Sequence, residues 1–431
     1  MQPKPDRIVS GILPETGTFV SVQIAGREIL SVEGANASRD RPGNPSATPV
    51  EELATEGRTG GHLRFVSGGF FDIQVNGYGG REFSSPALNV EDVDQIAYAL
   101  WRFGTNRFLP TLTTQSQEVL SHACQVLSKA RAQDRILCAR IPGLHLEGPY
   151  ISPQDGPRGA HPLAHVRAPD WDEFCRLQDS ADGAIRLITM SPEYEQAPDF
   201  IRRAVQTGVV VAIGHTAANQ DQIARAADAG ATLSTHLGNG AHPMLPRHPN
   251  YLWEQLAEDR LWASLIVDGW HLPASFVRVA VRAKSPQRCI LVSDLSGMAG
   301  LPPGRYQTEL CPLEVLEDGR LVIAGQATLL AGASRPIGSG IINMMDYAGV
   351  SLLQALAMAV ENPARLLKTQ PARVRPGDMA DLIVFEVQSR PAPPSGKQDK
   401  PSGKQDKRDA IRREIDVREV FFQDFHAQWD T

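Results

Sequence analysis

The chain has 431 residues, 42% hydrophobic and 21% charged, with 43 Lys and Arg against 49 Asp and Glu for a formal net charge of -6. That length allows two or three domains at roughly 100–200 residues each, or one barrel of about 250 residues with an appendage, and the ordinary composition excludes collagen-like, broadly disordered and disulfide-scaffold chains. An acidic balance without a long Lys/Arg run argues against a phosphate-backbone partner, so no nucleic acid is expected.

The opening residues, Met1-Gln2-Pro3-Lys4-Pro5-Asp6-Arg7, lack the apolar stretch of a signal peptide, and no later run is apolar enough to span a bilayer. No membrane partner and a cytoplasmic location are expected. Residues 7–66 read as short β runs, such as 19–24, broken by a Gly/Asn/Ser/Pro-rich patch at 34–48 that is expected to be a mobile loop. From Phe70 the texture changes to short apolar runs alternating with amphipathic stretches, the pattern of repeated βα units around a parallel sheet. The strand candidates are 71–75, 108–112, 143–147, 185–189, 210–215, 232–237, 263–268 and 289–294. Eight such strands suggest a closed barrel, with helical periods such as Val93, Ile96, Ala97 and Leu100 covering it from outside. Pro110 is a blemish in the second run, because proline cannot donate to a ladder.

Residues 304–323 look like a β-rich insertion, and 351–367 a single helix with Leu352, Ala355, Leu356, Ala359 and Val360 on one side. Residues 381–385 and 417–422 are further strands. Between them the heptad Pro394-Ser395-Gly396-Lys397-Gln398-Asp399-Lys400 recurs letter for letter at 401–407; a repeat this polar cannot bury apolar surface, so 389–408 is read as a disordered insertion. The expected fold is α/β: a (β/α)8 TIM-type barrel over 67–374, with a small β-sandwich module built from both chain ends, 1–66 plus 375–431. Five cysteines, Cys124, Cys138, Cys175, Cys289 and Cys311, are odd in number and form no CxxC pair, which points to buried free thiols.

The polar residues of ligand type fall in one pattern. Glu147, His215, His236 and Asp294 each close a predicted strand, and the carboxyl ends of barrel strands are where such folds build active sites. A carboxylate and two imidazoles meeting there would make a three-ligand site for an ion such as Zn2+, with a position left for water; such an ion lowers the pKa of its water from about 15.7 to about 7. Singly, each residue has an ordinary reading: Glu147 orients the turn at Gly148-Pro149, Asp294 caps the next segment, either His bonds at a rim, and His271 lies in a surface loop. Together they occupy matching positions on the third, fifth, sixth and eighth strands, which favours a site.

Seven segments extend this pattern in order: 69–77 (GFFDIQVNG), 109–114 (LPTLTT), 143–149 (GLHLEGP), 214–216 (GHT), 235–237 (THL), 268–271 (DGWH) and 291–294 (LVSD). The series resembles the N-acetylglucosamine-6-phosphate deacetylase family of the amidohydrolase superfamily, over about residues 65–385. The resemblance implies metal ligation by Glu147, His215 and His236 and general base then acid chemistry at Asp294. It also implies a carbonyl-polarising role for His161 in Arg158-Gly159-Ala160-His161. Many amidohydrolases carry His-x-His on the first strand for a second metal; here Gln74-Val75-Asn76 stands instead, as in some members of this deacetylase family, and neutral amides are weak Zn2+ ligands. One divalent ion per subunit is therefore expected, Zn2+ with Fe2+, Co2+ or Mn2+ as alternatives, and Gln74 and Asn76 are expected to hydrogen-bond the water, the substrate or the ligand residues.

By the same resemblance, Asn239, Gly240, His271 and a neighbouring subunit's Arg247 would bind the sugar phosphate, which implies a homodimer. The stretch 242–249 is unusually rich in His and Pro, and binding another anion or covering the barrel mouth suits it equally. Helix-type residues Tyr251-Leu252-Trp253 are expected to face the core rather than an interface. Three functions follow: deacetylation of N-acetylglucosamine 6-phosphate; hydrolysis of a different N-acyl amino sugar or ring amide by a related amidohydrolase; and a non-catalytic sugar-binding barrel, whose expected mark, a lost ligand or a lost Asp294, is absent.

Overall fold

The computed structural model describes residues 4–34, 63–308, 312–391 and 411–429. Eight parallel strands form its centre: β1 (Phe70–Val75), β2 (Thr105–Thr113), β3 (Leu144–Glu147), β4 (Ile185–Met190), β5 (Val210–Ile213), β6 (Leu233–Ser234), β7 (Trp262–Leu265) and β8 (Cys289–Leu291). They are hydrogen-bonded in chain order from β1 to β8, and the circle closes just past β8, where Asn76 and Gly77 N–H both donate to the Leu295 carbonyl at 2.8 and 3.1 Å. Burial on both faces explains the nearly continuous apolar runs. Pro110 is accommodated because the β1–β2 register shifts between Asp72 and Val75, and the Val75 N–H turns to the Thr111 hydroxyl at 3.1 Å.

The barrel interior is layered. Phe71, Ile73, Leu109, Leu187, Ala212, Leu233, Ile266, Ile290 and Val292 form an apolar floor, closed by Ala364 and Leu366 of the helix Glu361–Leu366. Above it lies a polar tier: the His145 ring meets the Thr111 and Thr189 hydroxyls at 3.3 and 2.7 Å, and Thr189 meets Thr235 at 2.7 Å. Burial drives the His145 pKa down to about 4, so this ring is neutral and the tier carries no charge of its own. Helices sheathe the outside, several begun by reciprocal caps, as where Asn89 and Asp92 exchange side-chain and backbone bonds.

Two expected elements differ. The helix expected over 351–367 is two helices, Leu352–Ala359 and Glu361–Leu366, broken at Val360; Pro363 has no N–H to give the Ala359 carbonyl and its ring crowds that group. The predicted strands ending at 215, 237, 268 and 294 stop short, at Ile213, Ser234, Leu265 and Leu291. Strands Gly304–Tyr306, Leu313–Val315, Leu321–Ile323 and Gln326–Leu330 form a four-stranded antiparallel insertion. Cys124 and Cys289 are buried free thiols, whereas Cys138 and Cys175 are partly exposed. Residues 389–391, expected to open the disordered insertion over 389–408, instead end the strand Asp381–Pro391; Cys311, the patch at 35–48 and residues 392–408 lie outside the described residues.

Strands from both chain ends make one seven-stranded sheet in which Asp381–Pro391 pairs with Arg64–Gly68 and Ile411–Phe422. Its alternate side chains separate into two packings: Val66, Leu382 and Val384 join Val9, Val22 and Ile24 in the sheet's own core, while Phe65, Phe385 and Val417 pack on the barrel helices. At the barrel's amino end the Asp381 carboxylate accepts from Asn106 at 2.8 Å and stands 3.1 Å from Arg107. Nearby Arg140, 1% exposed, donates to the carbonyls of Ala97, Thr105 and Asn106 at 2.6, 2.9 and 3.0 Å and stacks on Trp101. Replacing Arg140 by Met removes one donor from each of three buried carbonyls, so Arg140→Met is expected to lower unfolding free energy by about 3 kcal/mol. Urea unfolding checks this, with substrate KM unchanged because the site lies at the opposite end.

Candidate active site

The side chains expected to act converge where the strands end. His215, His236 and Asp294 all lie past their strands with φ of 48°, 29° and 53°. Non-glycine residues adopt this left-handed region rarely and at a cost of about 1–3 kcal/mol, which is typical of sites where surrounding structure imposes it. The strands are shorter than expected for this reason: the β-type pattern runs on to each ligand, but the chain turns there to aim the side chain across the barrel mouth. Surrounding bonds hold the turns. The Ser264 hydroxyl accepts from His236 N–H at 2.7 Å, and the His215 carbonyl accepts from Ser152 N–H at 2.9 Å.

Glu147 Oε1 lies 2.9 Å from His236 Nε2 and 3.2 Å from His215 Nε2, and the two Nε2 atoms are 3.1 Å apart. All three residues are buried, and one ligand atom from each falls within 4.8 Å of the others. His215 Nδ1 donates to the Pro157 carbonyl at 2.8 Å, so in the neutral ring Nε2 turns a bare lone pair on a carboxylate oxygen and another imidazole. One proton on His236 satisfies a single pair of these atoms. A cation satisfies all three, and imidazole with carboxylate is a donor set for Zn2+ and its neighbours. The residues therefore fit a divalent metal. Burial opposes ionisation of Glu147, but hydrogen bonds and charge from His215 and His236 outweigh it and hold the carboxyl well below its usual range; the same bond and charge from Glu147 overcome burial at His236 and raise its pKa.

Asp294 faces this cluster. Gln74 Nε2 donates to both Glu147 Oε1 and Asp294 Oδ1, at 2.9 and 3.1 Å, and Asn76 Nδ2 donates to Asp294 Oδ1 at 2.8 Å. The two amides thus fix one Asp294 oxygen, while Oδ2 receives no hydrogen bond among the described residues. Burial, then the charge of Glu147, raises the Asp294 pKa to about 6. His161 lies against His215, ring centroids 4.4 Å apart. Its Nδ1 accepts from the Thr114 N–H at 3.3 Å and meets the Thr114 hydroxyl at 2.8 Å, which leaves the ring proton on Nε2. Burial, then His215, drives its pKa down to about 3, so His161 is a neutral donor.

The remaining candidates are placed differently. His271 Nδ1 contacts Asp268 Oδ2 at 2.8 Å, an orientation that the Asp-x-x-His spacing made readable, and Asp268 also accepts from the Trp270 and His271 N–H groups. Asn239 turns back, its amide and N–H both donating to the His236 carbonyl. Gly240 has φ +56°, and a Cβ there would come within 2.9 Å of His215 Nδ1 and 3.3 Å of the Pro157 carbonyl, so the glycine makes room for that hydrogen bond. Arg247 is exposed, and no hydrogen bond or ion pair joins its guanidinium to these groups among the described residues. Helix Tyr251–Ala257 buries Tyr251 as expected but leaves Trp253 51% exposed, against the expectation that the whole segment faces the core: consecutive residues on a helix point about 100° apart. Pro157 and Thr114, which orient His215 and His161, give no signal in the sequence, because a backbone carbonyl or a strand-end Thr carries no chemical signature.

No described helix is long and apolar enough to cross a membrane. The amidohydrolase family model matches residues 65–413. The chain is 32% identical to the N-acetylgalactosamine-6-phosphate deacetylase of Escherichia coli O157:H7, over 74% of this chain and 82% of that protein. It is also 32% identical to the human N-acetylglucosamine-6-phosphate deacetylase, over 75% and 80% of the two. Among solved structures, a mutant N-acetyl-D-glucosamine-6-phosphate deacetylase from Mycobacterium smegmatis, in complex with N-acetyl-D-glucosamine-6-phosphate, superposes with TM-score 0.74 and 27% identity, covering 88% of this chain and 94% of that one.

If the Glu147–His215–His236 cluster holds a cation, His236→Ala should reduce bound metal measured by elemental analysis to a small fraction of the wild-type content. Chelation should lower the wild-type melting temperature, since an ion that binds only the folded state stabilises it, and should leave that of His236→Ala unmoved.

Proposed function

Since the chain belongs to the amidohydrolase family and, within it, to the N-acetylglucosamine-6-phosphate deacetylases, we propose that it hydrolyses the acetamide of N-acetylglucosamine 6-phosphate to glucosamine 6-phosphate and acetate. It is a hydrolase of amide C–N bonds. The observation that carries the reading is the meeting of Glu147, His215 and His236 on one point with Asp294 held opposite by two amides. The barrel, 67–374, is the proposed catalytic unit, and the chain-end sheet, 1–66 plus 375–431, its support.

In this reading Glu147, His215 and His236 hold one divalent ion per subunit, with Zn2+ the best match to the donors. When bound, that ion supplies the charge that acidifies a water and polarises the acetyl carbonyl. Asp294 Oδ2, the oxygen left free by Gln74 and Asn76, takes the proton of the attacking water and later passes it to the departing sugar nitrogen. His161 Nε2–H donates to the carbonyl oxygen as negative charge gathers there. Gln74 and Asn76 turn N–H groups rather than acceptor atoms toward Asp294 Oδ1, an arrangement that does not favour a second cation at that oxygen. Asn239, Gly240 and His271 line the sugar side. The exposed Arg247 is proposed to reach the phosphate in a partner subunit of a homodimer, its planar fork suiting that group. A sugar phosphate does not cross bilayers, so the cytoplasm is the proposed compartment.

The 4-epimer, N-acetylgalactosamine 6-phosphate, is the second reading, favoured by the equal identity to the Escherichia coli relative. Acetate release measured on both phosphorylated epimers and on their unphosphorylated forms separates the two; no release from any of them by metal-loaded protein rejects the deacetylase reading. Asp294→Asn should lower kcat by about 10³-fold with metal retained, and His161→Asn by about 10²-fold. Arg247→Ala should raise KM about tenfold or more for phosphorylated substrates only. Because the ionised carboxylate is the form that accepts a proton, kcat/KM should fall as pH drops through the Asp294 pKa, at about 6 or lower, the bound cation acting to lower it.

A further inference from the structure

One buried carboxylate near the site has no part in this chemistry. Asp72, in β1, is 1% exposed. Its Oδ1 accepts from the Gln74 N–H and from the Ser293 N–H, each at 3.2 Å, and Oδ2 accepts from the same Ser293 N–H at 3.3 Å. Both partners border the reacting groups: Gln74 carries the amide that bridges Glu147 and Asp294, and Ser293 immediately precedes Asp294.

The contact lies on the seam that closes the barrel. Past Leu291 no regular ladder joins β8 to β1; the Val75–Leu295 pair is an isolated bridge. Asp294 N–H donates to the Gln74 carbonyl at 3.0 Å, and its left-handed backbone takes the chain out of strand geometry there. The Ser293 N–H, one residue earlier, meets the Asp72 carboxylate. We propose that Asp72 is a positioning residue for the hydrolysis: through the backbone of Ser293 and Gln74 it sets the angle at which the Asp294 carboxylate faces the Glu147–His215–His236 cluster. Closing the seam for stability alone does not require it. Three backbone hydrogen bonds already join Gln74, Asn76 and Gly77 to Asp294 and Leu295, and burial drives the Asp72 pKa up to about 7 despite the bonds from Ser293 and Gln74, so an ionised carboxyl here is a destabilising choice.

The inference rests on Asp294 as the proton carrier proposed above, and its test has an arm independent of turnover. Asp72→Asn and Asp72→Ala are compared with wild type for metal content, kcat, KM and deuterium exchange of segments 70–77 and 289–296. Asn can still accept through one oxygen but loses the charge, and burial already disfavours that charge, so Asp72→Asn should fold. The expected result is full metal content and KM within about twofold, with kcat down about tenfold in Asp72→Asn and about a hundredfold in Asp72→Ala, and faster exchange in both segments. Unchanged kcat with only a lower melting temperature, unchanged exchange, or loss of metal in Asp72→Asn each overturns the proposal. If Asp72→Ala does not fold, Asp72→Asn alone decides. Wild type inactive on every N-acetylhexosamine 6-phosphate rejects the deacetylase reading instead, and the exchange comparison still decides whether Asp72 holds the seam.

Discussion

Three potential ligand atoms pointed at one another organise this molecule. Glu147 Oε1, His215 Nε2 and His236 Nε2 are brought together from three strands, and the Pro157 carbonyl takes the proton with which His215 might have eased the conflict. Buried lone pairs that face each other are destabilising unless something positive joins them. The apolar floor beneath, with its tier of His145 and threonines, is rigid enough to hold that arrangement together with the left-handed turns at His215, His236 and Asp294. Stability at one end of the barrel thus supports an unfavourable geometry at the other.

Much of this was legible in the sequence because barrels expose one end of every strand to the same space. The runs ending in Glu147, His215, His236 and Asp294 differ in composition but share a form, a short β-type run closing on a ligand-type residue, and that form is enough to place four side chains on one rim. What the pattern could not carry was backbone conformation: it extended strands through His215, His236 and Asp294, whereas these residues turn out of the ladder. Similarly, the apolar face of 351–367 hid the break that Pro363 imposes, since burial continues across a kink that hydrogen bonding does not. The distinction between Tyr251 and Trp253, inward and outward on one short helix, needed the packed neighbours. Asp72 stands out in the sequence only as part of a motif, because the partner that ties it to the site, the Ser293 N–H, lies more than two hundred residues away along the chain.

The chain-end sheet extends the same logic away from the chemistry. It grips the barrel at the amino ends of the strands through Phe65, Phe385 and Val417 and through the Asn106–Asp381 bond. That end of the fold is therefore free of any requirement for solvent access, and it can bury Arg140 against three carbonyls. The opposite end keeps the polar side chains of Glu147, His215, His236 and Asp294 aimed inward.

The hydrogen bond from His215 to Pro157 has one more implication. Pro157 and His161 lie four residues apart on a single loop, the first steadying an imidazole of the trio and the second touching that imidazole from the side. Ordering of this loop and occupancy of the trio are then linked equilibria: whatever fills one tightens the other, by the same free energy in either direction. If the trio holds an ion and His161 the acyl oxygen, as proposed, removing the ion would loosen the grip on the acyl group, and a bound acyl compound would slow the ion's escape.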